Sequence, residues 1–197
     1  MLDPPLLEPH SAAADALFDI GPAASAGVTV GDCVELQLAT VIARGDVADM
    51  AQRLGAAYGL ELAQGPKRSV GGELAFIGTG PRSWLALRAG GESLAESLQQ
   101  VLGETAAVSD QSSGYTVLRI SGPKARATFE KGLGVDLHPR AFKPGDAAAT
   151  SCAHLGVIIW QIDDTPTYEV AVFRSLAAAF CHWLMQSAAE FGVKVSG

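Results

Sequence analysis

The sequence predicts an α+β protein made of two pseudo-repeated ferredoxin-like β-α-β-β-α-β units, with helices packed on mostly antiparallel sheets. Three observations predict it. Short runs alternate apolar and polar residues, as half-buried strands do. Between them lie amphipathic segments with helix start and stop signals. The order of elements over residues 35–110 then returns over residues 111–197.

In the first half, residues 36–44 alternate as a strand, with Leu36, Leu38, Thr40 and Ile42 on one face. Asp46 offers an N-cap, and Val47, Met50, Leu54 and Tyr58 follow at helical spacing up to a stop at Gly59. Residues 73–79 and 84–88 form two strands around the turn Gly78-Thr79-Gly80-Pro81. Ser93 and Glu96 are spaced as a capping box, opening a helix whose stripe is Leu94, Leu98, Val101 and Leu102 and whose stop is Gly103. A short strand over 105–109 closes the half. In the second half, residues 115–120 alternate, and Gly122-Pro123 opens a helix with Ala125, Phe129 and Leu133 inward. A loop over 136–146 leads to strands at 147–154, 156–162 and 167–173, the last two joined by the turn Asp163-Asp164-Thr165-Pro166. A final helix over 175–191 carries Leu176, Phe180, Trp183, Leu184, Ala188 and Phe191 on one face.

Three segments result. Residues 1–34 are rich in Pro, Ala and Gly and read as an extended N-terminal arm of loop; residues 35–110 and 111–197 are the two α+β halves. Each half alone leaves an apolar face uncovered, so the halves are expected to pack into one compact unit. A chain of 197 residues buries roughly 70% of its unfolded surface, enough for a substantial core.

Composition narrows the function. Charged residues are 18% of the chain, against about 25% in an average soluble domain. Such a chain either hides surface against a partner or is simply rich in Ala. The net charge of −7 gives no basic footprint for nucleic acid. Residues 1–110 hold 14 acids against 6 bases, and residues 111–197 hold 7 against 8. That asymmetry suits electrostatic docking, though chance also produces it. Cys33, Cys152 and Cys181 are odd in number and widely spaced, so reduced thiols are the simplest account. The first Lys or Arg is Arg44, which fits neither a signal nor a transit peptide, and no apolar run reaches the ~18 residues of a membrane span. A cytoplasmic location without membrane attachment is expected.

Most catalytic motifs are missing. There is no P-loop and no G-x-S-x-G elbow. Gly78-Thr79-Gly80 begins like a dinucleotide fingerprint, but a strand follows where a helix is required. His10, His138, His154 and His182 lack metal-ligand spacing, and the adjacent acids Asp163 and Asp164 suit a turn. Catalytic, cofactor-binding and metal residues are therefore all assigned as none. Two basic features remain as tentative partner-interface residues. The loop His138-Pro139-Arg140-Ala141-Phe142-Lys143 is basic within an acidic chain, and Arg140 is shaped to fork a carboxylate or anion. Arg174 precedes the last helix, where a cation opposes the helix dipole and needs a compensating acid, carbonyl cluster or partner carboxylate. Ordinary solvated side chains are the alternative for both.

The stretches Thr116-Val-Leu-Arg-Ile-Ser-Gly-Pro-Lys-Ala-Arg126, Gly132-Leu-Gly-Val-Asp-Leu-His-Pro-Arg-Ala-Phe142 and Tyr168-Glu-Val-Ala-Val-Phe-Arg-Ser175 resemble the gamma subunit family of heterotetrameric sarcosine oxidase. The similarity runs over roughly residues 35–192, and the family is in turn similar to the folate-binding domain of glycine-cleavage aminomethyltransferases. The resemblance implies a non-catalytic subunit stabilising a complex that demethylates sarcosine to glycine, with tetrahydrofolate as one-carbon acceptor. It implies no cofactor in this chain, FAD, FMN, NAD and zinc in the partner subunits, and alpha, beta and delta subunits as partners, alpha most directly. The family supplies no catalytic residues to carry over. A stand-alone folate-binding, aminomethyltransferase-like protein is the alternative, and a generic small-molecule-binding module a third.

Overall fold

The computed structural model describes residues 11–22 and 25–196. Its first sheet is built from β2 (Leu36–Ala43), β3 (Arg68–Gly71), β4 (Leu74–Gly80), β5 (Ser83–Ala89) and β6 (Ala106–Asp110), in the order β3-β4-β5-β2-β6 and antiparallel throughout. The second comprises β1 (Val28–Asp32), β7 (Tyr115–Ser121), β8 (Ala147–Cys152), β9 (Leu155–Asp163), β10 (Thr167–Phe173) and β11 (Val193–Ser196), in the order β11-β1-β7-β10-β9-β8. Only the β1–β11 pair is parallel.

Strand alternation distributes the apolar residues into three layers. On β4, Leu74 and Phe76 face α1 (Val47–Tyr58) and α2 (Leu94–Leu102), where Met50, Leu54, Leu94 and Leu98 meet them. Ala75 and Ile77 point the other way, into a layer shared with the second sheet. There Leu38, Ile77, Leu85 and Leu87 pack against Val117, Ile158, Trp160 and Ala171. The far face of the second sheet presents Leu118, Ile120, Ile159, Tyr168 and Val170 to α3 (Ala125–Phe129) and α4 (Ala177–Ala188), which contribute Phe129, Phe180 and Leu184. The layers thus run helices, sheet, sheet, helices. The central strands β4, β5, β9 and β10 read as nearly unbroken apolar runs because both their faces are buried.

The helix signals of residues 46–59 and 93–103 work as read, but those after Gly122-Pro123 do not: α3 starts only at Ala125 with Lys124 as its N-cap, so Pro123 lies before the helix and Leu133 beyond its end. Asp46 caps α1 by accepting from the Ala48 N–H at 2.9 Å, and Gly59 ends it in the left-handed region at φ 63°. Ser93 accepts from the Glu96 N–H at 3.3 Å. The two sheets pack face to face across this shared layer.

Several expectations need correction. Residues 1–34 do not read through as loop: β1 lies inside the second sheet, between β11 and β7. Its five residues, Val-Thr-Val-Gly-Asp, offer too short an alternation to stand out among Gly and Ser. The rest of the arm is described only in part, since residues 1–10, 23 and 24 lie outside the described residues. β3 and β11, each of four residues, went unread for the same reason; Arg, Ser, Gly and Lys make strands there only because a neighbour supplies the ladder. With β3, the order from β2 to β6 is β-α-β-β-β-α-β, one strand more than the ferredoxin-like expectation. On β2, Leu38 faces the other sheet, but Ile42 is 49% exposed, and Ala39, Val41 and Ala43 carry the helix-side packing.

The turn joining β8 to β9 carries strain. Cys152 pairs with Leu155, so the loop is the two residues Ala153 and His154, at φ 48° and 68°. Two successive positive φ values make a type I′ turn, which Asn-Gly fills without cost. Replacing the pair (Ala153→Asn with His154→Gly) is expected to raise stability by about 1 kcal/mol, read as a higher midpoint in urea with an unchanged slope.

Candidate functional site

The loop carrying His138 and Arg140 is held from below by Leu137 and Phe142, both buried. Above them it is a knot of local hydrogen bonds. The Asp136 carboxylate accepts from the His138 N–H at 2.8 Å, and the His138 carbonyl accepts from Ala141 and Phe142. His138 Nδ1 accepts from the Arg140 N–H at 3.2 Å. Both side chains are exposed, and the Arg140 guanidinium has no partner among the described residues.

Arg174 lies elsewhere. It opens a short 3-10 turn, Arg174–Leu176, before α4, and its N–H donates to the Gly114 carbonyl at 2.9 Å. Next to it Phe173, 48% exposed, stacks on Tyr115 with ring centroids 4.7 Å apart.

Two cavities open at opposite ends of the layer between the sheets. One, of about 820 Å³, is lined by Asp32, Cys33, Val34, Tyr115 and Arg174, where β2 and β7 begin. The other, of about 710 Å³, lies beyond the far end of β2 and is lined by Val47, Pro66, Gly78, Trp84, Phe142 and Ala147. Arg174 therefore borders one cavity, while His138 and Arg140 ride the loop that walls the other; the fold does not bring the three together. Gly78 belongs to a strand, not to a phosphate loop. A side chain there would strike the Gly65 carbonyl at 2.0 Å, so close backbone approach requires the glycine. The following turn, Pro81-Arg82, is fastened by the Arg82 guanidinium, which donates to the Ala43 and Gly45 carbonyls.

Sequence reasoning passed over a polar row inside the sheet-to-sheet layer. Arg119, Glu169 and Trp160 sit side by side on β7, β10 and β9. Glu169 is 6% exposed; one carboxylate oxygen accepts from Arg119 Nε at 2.9 Å and the other from Trp160 Nε1 at 2.8 Å. The hydrogen bond to Glu169 raises the Arg119 pKa above its ordinary value. Burial lowers that of Arg68, whose buried Nε has no hydrogen-bond partner among the described residues, with the nearby Glu169 opposing the shift. The signal was available: Arg119 and Glu169 are opposite charges on two neighbouring strand patterns, Glu169 buried and Arg119 with 58% of its side chain exposed at the rim. Arg119, Glu169 and Trp160 line neither of these two cavities; through Glu169 the row ties the neighbouring strands β7, β10 and β9 of the second sheet to one another.

Cys152 and Cys181 are buried, and Cys33 is partly exposed. Burial pushes Cys152 and Cys181 up to about 12, and burial together with Glu169 pushes Cys33 up to about 11. Thiolate nucleophiles need the opposite shift. Among the described residues no group of three His, Cys, Asp or Glu side chains is placed to hold a metal ion, and no helix is long and apolar enough to cross a membrane.

Two outcomes are expected. Glu169→Ala leaves Trp160 Nε1 buried without an acceptor and should cost about 2 kcal/mol in chemical denaturation; Glu169→Gln, which keeps an acceptor, should cost less. Thiol titration of the native chain at pH 8 should find Cys152 and Cys181 unreactive until denaturant is added. A raised thiol pKa favours the fold below the unfolded value and loses that contribution as pH rises, so stability should decline above about pH 9.

Comparison with known proteins places this architecture. The chain is 36% identical over 119 residues to the sarcosine oxidase subunit gamma of an Arthrobacter species, and 35% identical over 118 residues to that of Corynebacterium sp. (strain P-1). Each match covers 59% of this chain and 58% of the relative. A chain in the solved structure of heterotetrameric sarcosine oxidase from Corynebacterium sp. U-96, in complex with pyrrole 2-carboxylate, superposes with a TM-score of 0.79 at 25% identity, covering 93% of this chain and 96% of that one. Aminomethyltransferase T of the glycine cleavage system from Bartonella henselae shares the fold, with a TM-score of 0.64 at 17% identity, over 87% of this chain and 48% of that one. The family profile described as sarcosine oxidase, gamma subunit family matches residues 44–190, and the chain belongs to that family.

Proposed function

We propose that this chain is a non-catalytic subunit that stabilises a heterotetrameric sarcosine oxidase, docking on the alpha subunit most directly and sharing the complex with beta and delta. The carrying observation is the superposition on a chain of a heterotetrameric sarcosine oxidase over 96% of that chain's length. The chemistry agrees with the reading. The Cys152 and Cys181 thiols are buried, and the carboxylate on the inner face of the second sheet is held by Arg119 and Trp160. FAD, FMN, NAD and zinc would then belong to the partner subunits, which demethylate sarcosine to glycine in the cytoplasm with tetrahydrofolate as the one-carbon acceptor. His138, Arg140 and Arg174 are exposed and suited to meeting partner carboxylates at two separate places on the surface.

The two layers are further read as copies of one unit. The order strand, helix, three-stranded meander, helix, strand runs from β2 to β6 and again from β7 to β11, with β1 inserted between β7 and β11. A stand-alone folate-binding role draws on the aminomethyltransferase fold and on the cavity of about 710 Å³. That cavity has no acidic side chain in its lining to meet a pterin. Calorimetric titration of the lone chain with tetrahydrofolate separates the readings, since micromolar binding would favour the second.

Purified alone, the chain should be colourless and inactive on sarcosine; a flavin spectrum would overturn the proposal. Co-expressed with the other subunits it should co-purify with them. Arg140→Ala and Arg174→Ala should each weaken assembly several-fold while leaving stability within about 0.5 kcal/mol. A lowered melting temperature with unchanged assembly would contradict the interface assignment.

A further inference from the structure

The cavity of about 710 Å³ has the size of a small-molecule site, which runs from roughly 300 to 1,000 Å³. Both halves of the chain wall it: Val47, Pro66 and Trp84 from one, Val135, Phe142 and Ala147 from the other. Trp84 and Phe142 are 3% and 6% exposed, so packing holds both rings where they line the space. The two walls are tied to each other. The Ala147 N–H donates to the Pro66 carbonyl at 2.9 Å, and Lys67 pairs with Asp146 alongside. A wall set in advance spares a ligand the entropy of ordering it.

Arg82 stands out on that wall. Its φ of 58° lies in the left-handed region, which is unfavourable for a residue with a side chain and open to glycine without cost. Its Nη2 donates to the Ala43 and Gly45 carbonyls, fastening the corner where β2 leads into α1. Nε and Nη1 have no hydrogen-bond partner among the described residues, and the residue is exposed. The guanidinium therefore keeps donors to spare.

Charge selects the ligand. Among the described residues Arg82 is the one charged residue that lines this cavity, in a chain of net charge −7. The other cavity, by contrast, carries Asp32 and Glu35. A cation would find no counter-charge here, whereas an apolar anion finds both an apolar wall and a guanidinium. We propose that the cavity binds a small apolar molecule bearing one carboxylate, with its body against Trp84 and Phe142 and its carboxylate at the spare donors of Arg82. This inference does not rest on the subunit reading, because it concerns side chains that this chain supplies by itself.

Calorimetric titration of the full chain, alone or within its complex, with three probes of one ring system tests this: 2-naphthoate, 2-naphthamide and 2-naphthylmethylamine. 2-Naphthoate should bind once per chain, the neutral amide about tenfold more weakly, and the cationic amine more weakly still. Ala149 lines the cavity on the face of β8 that also carries Ala147, and it is exposed. Ala149→Trp should therefore fill the space, melt near the parent temperature and weaken 2-naphthoate at least about tenfold. Arg82→Gly relieves the backbone strain and should bring 2-naphthoate down to the affinity of the amide. The comparison of the three probes on the parent chain needs no variant. Lack of saturable 2-naphthoate binding up to about 1 mM overturns the proposal. Equal binding of acid, amide and amine overturns it as well, as does undiminished binding by folded Ala149→Trp.

Discussion

The fold depends on the contact between its two sheets. Leu38, Ile77, Leu85 and Leu87 from one sheet and Val117, Ile158, Trp160 and Ala171 from the other are almost entirely shielded from water only while the sheets stay together. Each large aliphatic side chain so placed contributes roughly 2 kcal/mol. Apart from this contact, each half is a sheet with helices on one face and an apolar face bare. Neither half is then a good folding unit, and the β1 strand joins the sheet opposite to the one its sequence neighbour β2 enters.

Glu169 is the polar exception inside that contact. An ionised carboxylate in such a layer is unfavourable unless its oxygens are satisfied, and Arg119 and Trp160 satisfy both. The row adds direction where dispersion forces have none. It pins β7, β9 and β10 in one register and sets the position of Trp160, the largest side chain of the layer.

The same contact limits which surface is left. With the layer between the sheets filled, what stays exposed includes the loop around Arg140 and the outer faces of the helices. Fold similarity to the aminomethyltransferase does not carry its chemistry, because function resides in the side chains of a site.

Much of the secondary structure was legible, and the reason is local. Asp46, Ser93, Gly59 and Gly103 bound α1 and α2 by capping chemistry that needs no tertiary contact. The apolar runs of β9 and β10 and the exposure of Arg140 also followed from local pattern. What stayed hidden depended on distant partners. β1, β3 and β11 are four or five residues long and become strands only when a ladder is offered across the fold. Ile42 shares a face with buried Leu38 yet is 49% exposed, because alternation states which residues share a face, not how far the opposing sheet extends. The meeting of Arg119 with Glu169, 50 residues apart, was fixed by strand register alone. The sequence by itself therefore determined most of the longer elements and the mixed α+β class, since these rest on periodicity and capping. The tertiary structure alone decided which faces meet and where the cavities lie, because those depend on pairings between segments that no local window contains.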